Sequence, residues 1–237
     1  MNKIIEMAEE YLKRIPSSVE IEGTHYVLNM INTTNSVEQQ RDYLMSFLLA
    51  SLYGKIVKRI VFEESCSKHP SKGPHDLVVY LDRGTRIVNE IRRLKQTRWD
   101  KYEEENHVFG SIKKTGQLYE LRDDPDRSTT GFLDTILKEI EAKGTQLDSE
   151  EINIIWIASK GMHYKATDIE DAASYYSVGC QNISNIHIMP KDLTALGWFW
   201  DGDPFDTTAE AECFFIKPTK VIDKLKNIFL LKTFNNK

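Results

Sequence analysis

Apolar residues recur at three and four over residues 3–14, placing Ile4, Met7, Ala8, Tyr11 and Leu12 on one face of a predicted helix. Pro16 ends it, since proline removes a backbone donor and clashes with the preceding turn. A short extended segment is expected over 19–29. The stretch NTTNSVEQQRDYLMSFLLASLYGK then carries the clearest helix of the chain. Ser36 followed by Gln39 makes a capping-box pattern, Leu44, Phe47, Leu48 and Leu52 repeat at helical spacing, and Gly54 marks the stop.

The period then shortens. KIVKRIVFEES reads as a strand with Ile60 and Phe62 on one face, and CSKHPSKGP as a loop. HDLVVYLD and TRIVNEIRRL are strands around the turn Asp82-Arg83-Gly84, so 75–94 is predicted to be a hairpin. Residues 95–130 are polar and poorly periodic, with the acidic run Glu103-Glu104-Glu105 and the turn-like DDPDRSTTG. Helix returns over 131–143 with Gly144 as its stop. INIIWIAS is a buried-type strand, 166–178 a helix, and NISNIHIMP a short strand ended by Pro190. The aromatic run GWFWDGDPF follows, then a strand over 212–217 and a basic amphipathic helix from 218. This order predicts an α/β protein: a mixed central sheet flanked by helices, with an antiparallel portion and a later parallel crossover.

A chain of 237 residues can bury a sizeable core, and it is read as a single domain. Its hydrophobic share of 41% and charged share of 28% are those of a soluble globular protein rather than a disordered one. The formal net charge of −5 argues against general polyanion binding, so any nucleic-acid contact must come from a local basic patch. Cys66, Cys180 and Cys213 are odd in number and form no CxxC pair, which points to a reducing, cytoplasmic setting without a disulfide framework or zinc cluster. The amino terminus has acidic residues and no continuous apolar core, unlike a signal peptide, and no apolar run is long enough for a membrane span.

Candidate chemistry concentrates in the hairpin. Alternation puts Glu90 and Arg92 on one face of their strand, and Asp76, at the start of the partner strand, falls roughly opposite residues 90–92. Two carboxylates with the carbonyl of Ile91 would make a hard-oxygen site for Mg²⁺. Such an ion can bind a scissile phosphate and activate water, while a nearby cation orients that water or neutralises charge.

Pro74-His75-Asp76 with Glu90-Ile91-Arg92 resembles the motif of the PD-(D/E)XK nucleases, with Arg92 where that superfamily carries a lysine. The resemblance covers roughly residues 36–160. It implies a restriction endonuclease-like core over about 36–190, with an N-terminal helical extension and a C-terminal strand-helix extension. It further implies Mg²⁺-dependent hydrolysis of phosphodiester bonds in DNA, RNA being a second substrate class, in a restriction or defence setting. Asp76, Glu90 and Arg92 would be catalytic, Asp76 and Glu90 holding the metal and Glu38 adding an outer acid. Gln96 lies where a subset of the superfamily has a supporting glutamine. An arginine cannot act as a titrating base, and Lys95 would have to reach round from the opposite face to replace it.

The segment TRIVNEIRRLKQTRWDK offers Arg86, Arg93, Lys95, Arg98 and Lys101, with aromatic residues interleaved, as a nucleic-acid grip. The competing reading is a charged strand-to-loop face balanced by the acids that follow. Glu63 and Glu64 read as a solvated strand end, His75 as structural, GWFW as core and the terminal helix as packing on its own domain. No HExxH, glycine-rich phosphate loop or GxSxG occurs, which leaves zinc hydrolases, nucleotide-loop enzymes and serine hydrolases without support. A homodimer would suit double-strand cleavage. The rival function is a noncatalytic module of nuclease-like or unrelated α/β fold that binds a protein or nucleic acid. The separation of the Asp76 and Glu90 carboxylates discriminates: a nuclease needs them to share one ion.

Overall fold

Helix α1 (Lys3–Lys13) buries Ile4, Ala8 and Tyr11 on the face that its spacing predicts. These coordinates come from a computed structural model, which describes residues 3–65, 73–82, 84–94, 129–149, 151–159, 166–178, 186–200 and 211–234. The segment expected to be extended over 19–29 is strand only at β1 (Glu20–Glu22) and then becomes helix α2 (Thr24–Thr33). Gly23 makes the switch at φ +79°, a left-handed conformation that suits glycine. It also lies against the Phe62 carbonyl, 2.3 Å from where a Cβ would sit. Val27 and Ile31, one helical turn apart, are the buried residues of α2. In α3 (Val37–Tyr53) the Gln39 N–H donates to Ser36 Oγ at 3.4 Å, the capping contact expected from the sequence.

The remaining elements are β2 (Arg59–Ser65), β3 (Pro74–Asp82), β4 (Thr85–Leu94), α4 (Thr129–Gly144), β5 (Ile152–Ser159), α5 (Ala166–Val178), β6 (Leu193–Trp200), β7 (Ala211–Phe215), α6 (Ile222–Leu225) and β8 (Leu230–Thr233). The eight strands form one mixed sheet in sequence order. β2, β3 and β4 are antiparallel, whereas β4, β5 and β6 run parallel. The two parallel steps span α4 and α5, which pack against one core cluster with Ile155, Ile157 and Leu196. The opposite cluster joins α1, α2 and α3 to Ile60, Phe62, Leu77, Val79 and Trp156. Because β5 is covered on both faces, its run of apolar residues needs no alternation.

Two expectations are corrected here. Residues 186–190 of the predicted strand NISNIHIMP are not in the sheet; Ile186 and Ile188 are exposed there, and residues 182–185 lie outside the described residues. The strand is instead LTALGWFW, beyond Pro190, whose side chains fill both layers: Ala195 and Phe199 on one, Leu196 and Trp198 on the other. The helix expected from 218 is only the single turn α6, after which the chain pairs with β7 as the parallel strand β8. Val221, Leu225 and Phe229 are all buried and anchor this return. No helix among the described residues is long and apolar enough to cross a membrane. Cys213 is a buried free thiol, and burial pushes its pKa up.

At the centre, Asn89 is completely buried in β4 and fully bonded. Its Oδ1 accepts from the Tyr53 hydroxyl at 2.9 Å and from Trp156 Nε1 at 2.8 Å. Its Nδ2 donates to the carbonyls of Leu77 at 3.3 Å and Ile87 at 3.2 Å. Trp156 lies over Gly197 of β6, where an added Cβ would come 2.1 Å from the indole ring. Gly197→Ala must therefore displace the indole from Asn89. It is expected to cost about 2–3 kcal/mol, as overpacking does, read as a lower urea midpoint.

Candidate functional site

The β3–β4 ladder runs from the turn to the pair Leu77↔Asn89. Beyond it the Asp76 carboxylate accepts the Ile91 N–H at 2.7 Å, so the side chain sits at the parting of the two strands. Glu90 lies on the opposite face of β4 from Asn89 and is completely buried. Lys143, in the last turn of α4, closes the group: its Nζ donates to Asp76 Oδ2 at 2.8 Å and to Glu90 Oε2 at 3.1 Å. Gly144 packs where a Cβ would lie 2.3 Å from Pro190 Cγ, which brings this helix end close to the segment that leads into β6.

A cleft of about 330 Å³ opens beside these residues, lined by Gln39 and Tyr43 of α3, Glu63 of β2, Asp76, Ile91 and Lys143. Glu63 has φ +52°, a left-handed conformation uncommon outside glycine. The strand's alternation is broken there. Phe62 packs in the core beneath α3, Glu63 lines the cleft, and Glu64 reaches Arg86 and the Tyr80 hydroxyl at 3.1 and 3.0 Å. Glu63 is therefore no solvated strand end.

The electrostatics follow from packing acids together. Burial, reinforced by Asp76 and Glu90 and opposed by Lys143, pushes the Glu63 carboxyl up to about 7. Burial and the neighbouring Asp76 likewise raise Glu90, against the pull of His75 and Lys143. Burial lowers Lys143, but the two carboxylates outweigh it and the ammonium is held above its ordinary value.

The hairpin thus brings Asp76 and Glu90 onto one cation. It does not bring Arg92 there: that side chain is half exposed and its Nε donates to Glu139 at 2.5 Å, although the residue borders the cleft. Glu38 is paired with Arg93, whose Nε also donates to Asp42 at 2.7 Å. Arg86 is held inside by Asp148 at 2.9 Å and Glu64. Arg86 is therefore part of an internal ion-pair network, and Arg93, which lines the cleft, is paired with two half-exposed acids, so neither belongs to an open basic face. Lys95, Gln96, Arg98 and Lys101 lie outside the described residues. Lys143 was missed because it belongs to another layer; its only sequence signal is a cation in the last turn of the helix that follows the hairpin.

No three His, Cys, Asp or Glu side chains among the described residues form a ready metal cage. Asp76 and Glu90 nonetheless converge on one ammonium, so their oxygens can reach a single cation. Mg²⁺ is commonly held by one or two carboxylates and water, and that donor set fits. No protein-family model, curated protein or solved structure matches the chain.

Glu63 supplies a test of this electrostatic picture. Its folded pKa lies above the unfolded value of 4.5, so between these values the folded state binds more protons and stability falls as pH rises. Glu63→Gln should leave stability near wild type at about pH 4 and raise it by about 1–2 kcal/mol at about pH 8, measured by urea unfolding at both pH values.

Proposed function

We propose that this chain is a metal-dependent nuclease hydrolysing phosphodiester bonds in DNA, with a restriction endonuclease-like core over about 36–190. One observation carries the reading: Lys143 Nζ lies within hydrogen-bond distance of both Asp76 and Glu90. The order α3, β2, β3, β4, α4, β5, with an antiparallel trio followed by a parallel strand, supports a core similar to that of the PD-(D/E)XK nucleases.

In this reading Asp76 and Glu90 hold a divalent cation, and Lys143 takes the role that the sequence motif offers to Arg92. The bound ion supplies Lewis-acid polarisation of the phosphate and a lowered pKa for attacking water. The ammonium of Lys143 shifts from the carboxylates to a phosphate oxygen or orients the water. It stays protonated, because acids surround it. Glu63, poised near neutrality, accepts a proton at the cleft wall. Arg92, exposed at the rim, contacts the DNA backbone without entering the chemistry. A restriction or defence role in the cytoplasm suits such an activity.

The test is cleavage of linear and circular DNA with Mg²⁺ or Mn²⁺. Wild type is expected to cut. An Asp76→Ala, Glu90→Ala double variant should be inactive. Lys143→Met should lose about 10²–10³-fold, the scale for removing one charge-stabilising donor. Arg92→Gln should retain most activity. Pure folded protein that cuts neither DNA nor RNA would overturn the proposal in favour of a noncatalytic binding module.

A further inference from the structure

Glu90 has two carboxylate oxygens in a place without solvent, and they have different partners. Oε2 accepts from Lys143 at 3.1 Å, the residue that separates it from the cleft wall beside Asp76. Oε1 lies 2.8 Å from Nδ1 of His75, whose own side chain is 1% exposed. The other ring nitrogen, Nε2, is 3.2 Å from Asp148 Oδ2. Both nitrogens thus face carboxylate acceptors, an arrangement in which each can carry a proton and donate.

Asp148 is itself fastened. Its Oδ2 accepts from Arg86 at 2.9 Å, and its backbone N–H donates to Asn153 Oδ1 at 3.2 Å. Asn153 Nδ2 returns a bond to the Asp148 carbonyl at 2.7 Å and another to Asp192 at 3.0 Å. The ring therefore does not merely fill space beside Glu90. It is held from behind by the connection between α4 and β5, the same connection that begins just after Lys143.

We propose that His75 is a positioning residue: fastened to Asp148, it donates from Nδ1 to Glu90 Oε1 and so keeps Oε2 turned toward the point that it shares with Asp76, now held by the Lys143 ammonium, as a ligand for a divalent cation. This rests on the nuclease reading, because it presumes that Asp76 and Glu90 hold the ion. Without the Nδ1 donor, Oε1 is left buried without that partner, and the carboxylate turns toward another donor, which removes a ligand. Partners that orient a metal ligand commonly change metal affinity by about 10–100-fold.

Two near-isosteric substitutions separate positioning from packing. In His75→Asn the amide nitrogen falls near the Nδ1 position and can still donate to Glu90, but the contact to Asp148 is lost. In His75→Gln the amide reaches the Nε2 position and keeps Asp148, but Glu90 loses its donor. Mn²⁺ binding to the full chain would be measured by calorimetry for wild type, both variants and Asp76→Ala, with thermal unfolding alongside. His75→Asn should bind within about threefold of wild type and His75→Gln about 10–100-fold more weakly. Equal Mn²⁺ affinity in both variants, even with a lowered Tm in each, overturns the positioning role and leaves the nuclease reading standing. Wild type that takes up no Mn²⁺, or takes it up equally well as Asp76→Ala, overturns both.

Discussion

The amide of Asn89 is the constraint on which the site depends. A buried carboxamide has two donor hydrogens and two acceptor lone pairs, and all four are used here. Its partners come from α3, β3, β4 and β5. Losing one of them leaves a buried polar group unpaired, at about 1–3 kcal/mol. The amide therefore fixes how β4 sits between its neighbours and how deeply α3 packs. Glu90 is the next residue and must point to the other face, so the placement of the acid follows from the amide beneath it.

Charge in and around the cleft is balanced tightly. Glu63, Asp76 and Glu90 lie near one ammonium, and burial raises the two glutamates. Around this group the arginines pair with acids: Arg92 with Glu139, Arg93 with Asp42 and Glu38, Arg86 with Asp148 and Glu64. In a chain of net charge −5 this arrangement matters. The cations that line the cleft, Arg92, Arg93 and Lys143, are each paired with carboxylates, so its wall is not a broad unpaired basic surface.

Local periodicity made much of the fold legible. Helices α1 and α3, the β3–β4 hairpin, α4, β5 and α5 all follow from spacing and turn residues. The sheet's later strands do not. Alternating isoleucines made 186–188 look like a strand, but β6 wins because its aromatic and aliphatic side chains fill both layers. β8 was hidden because Val221, Leu225 and Phe229 keep helical spacing even though the helix stops after one turn. In the site, the Asp76 and Glu90 pair was readable because a hairpin relates its two strands by local geometry. Lys143 was not, because it is 53 residues from Glu90 in the chain and arrives from a different layer. Glu63 was misread because one left-handed φ decides where it points, and nothing in its neighbours signals that conformation.

The sheet's sequence order has a consequence in time. Strands β2, β3 and β4 can pair as soon as they leave the ribosome, since each neighbours the one made before it. At that stage Asp76 and Glu90 are adjacent and share no ammonium. The ammonium that both acids share arrives with α4, before β5 pairs alongside β4. The nascent hairpin thus awaits the helix that follows it, and that helix brings the cation that makes the two acids compatible with a closed core.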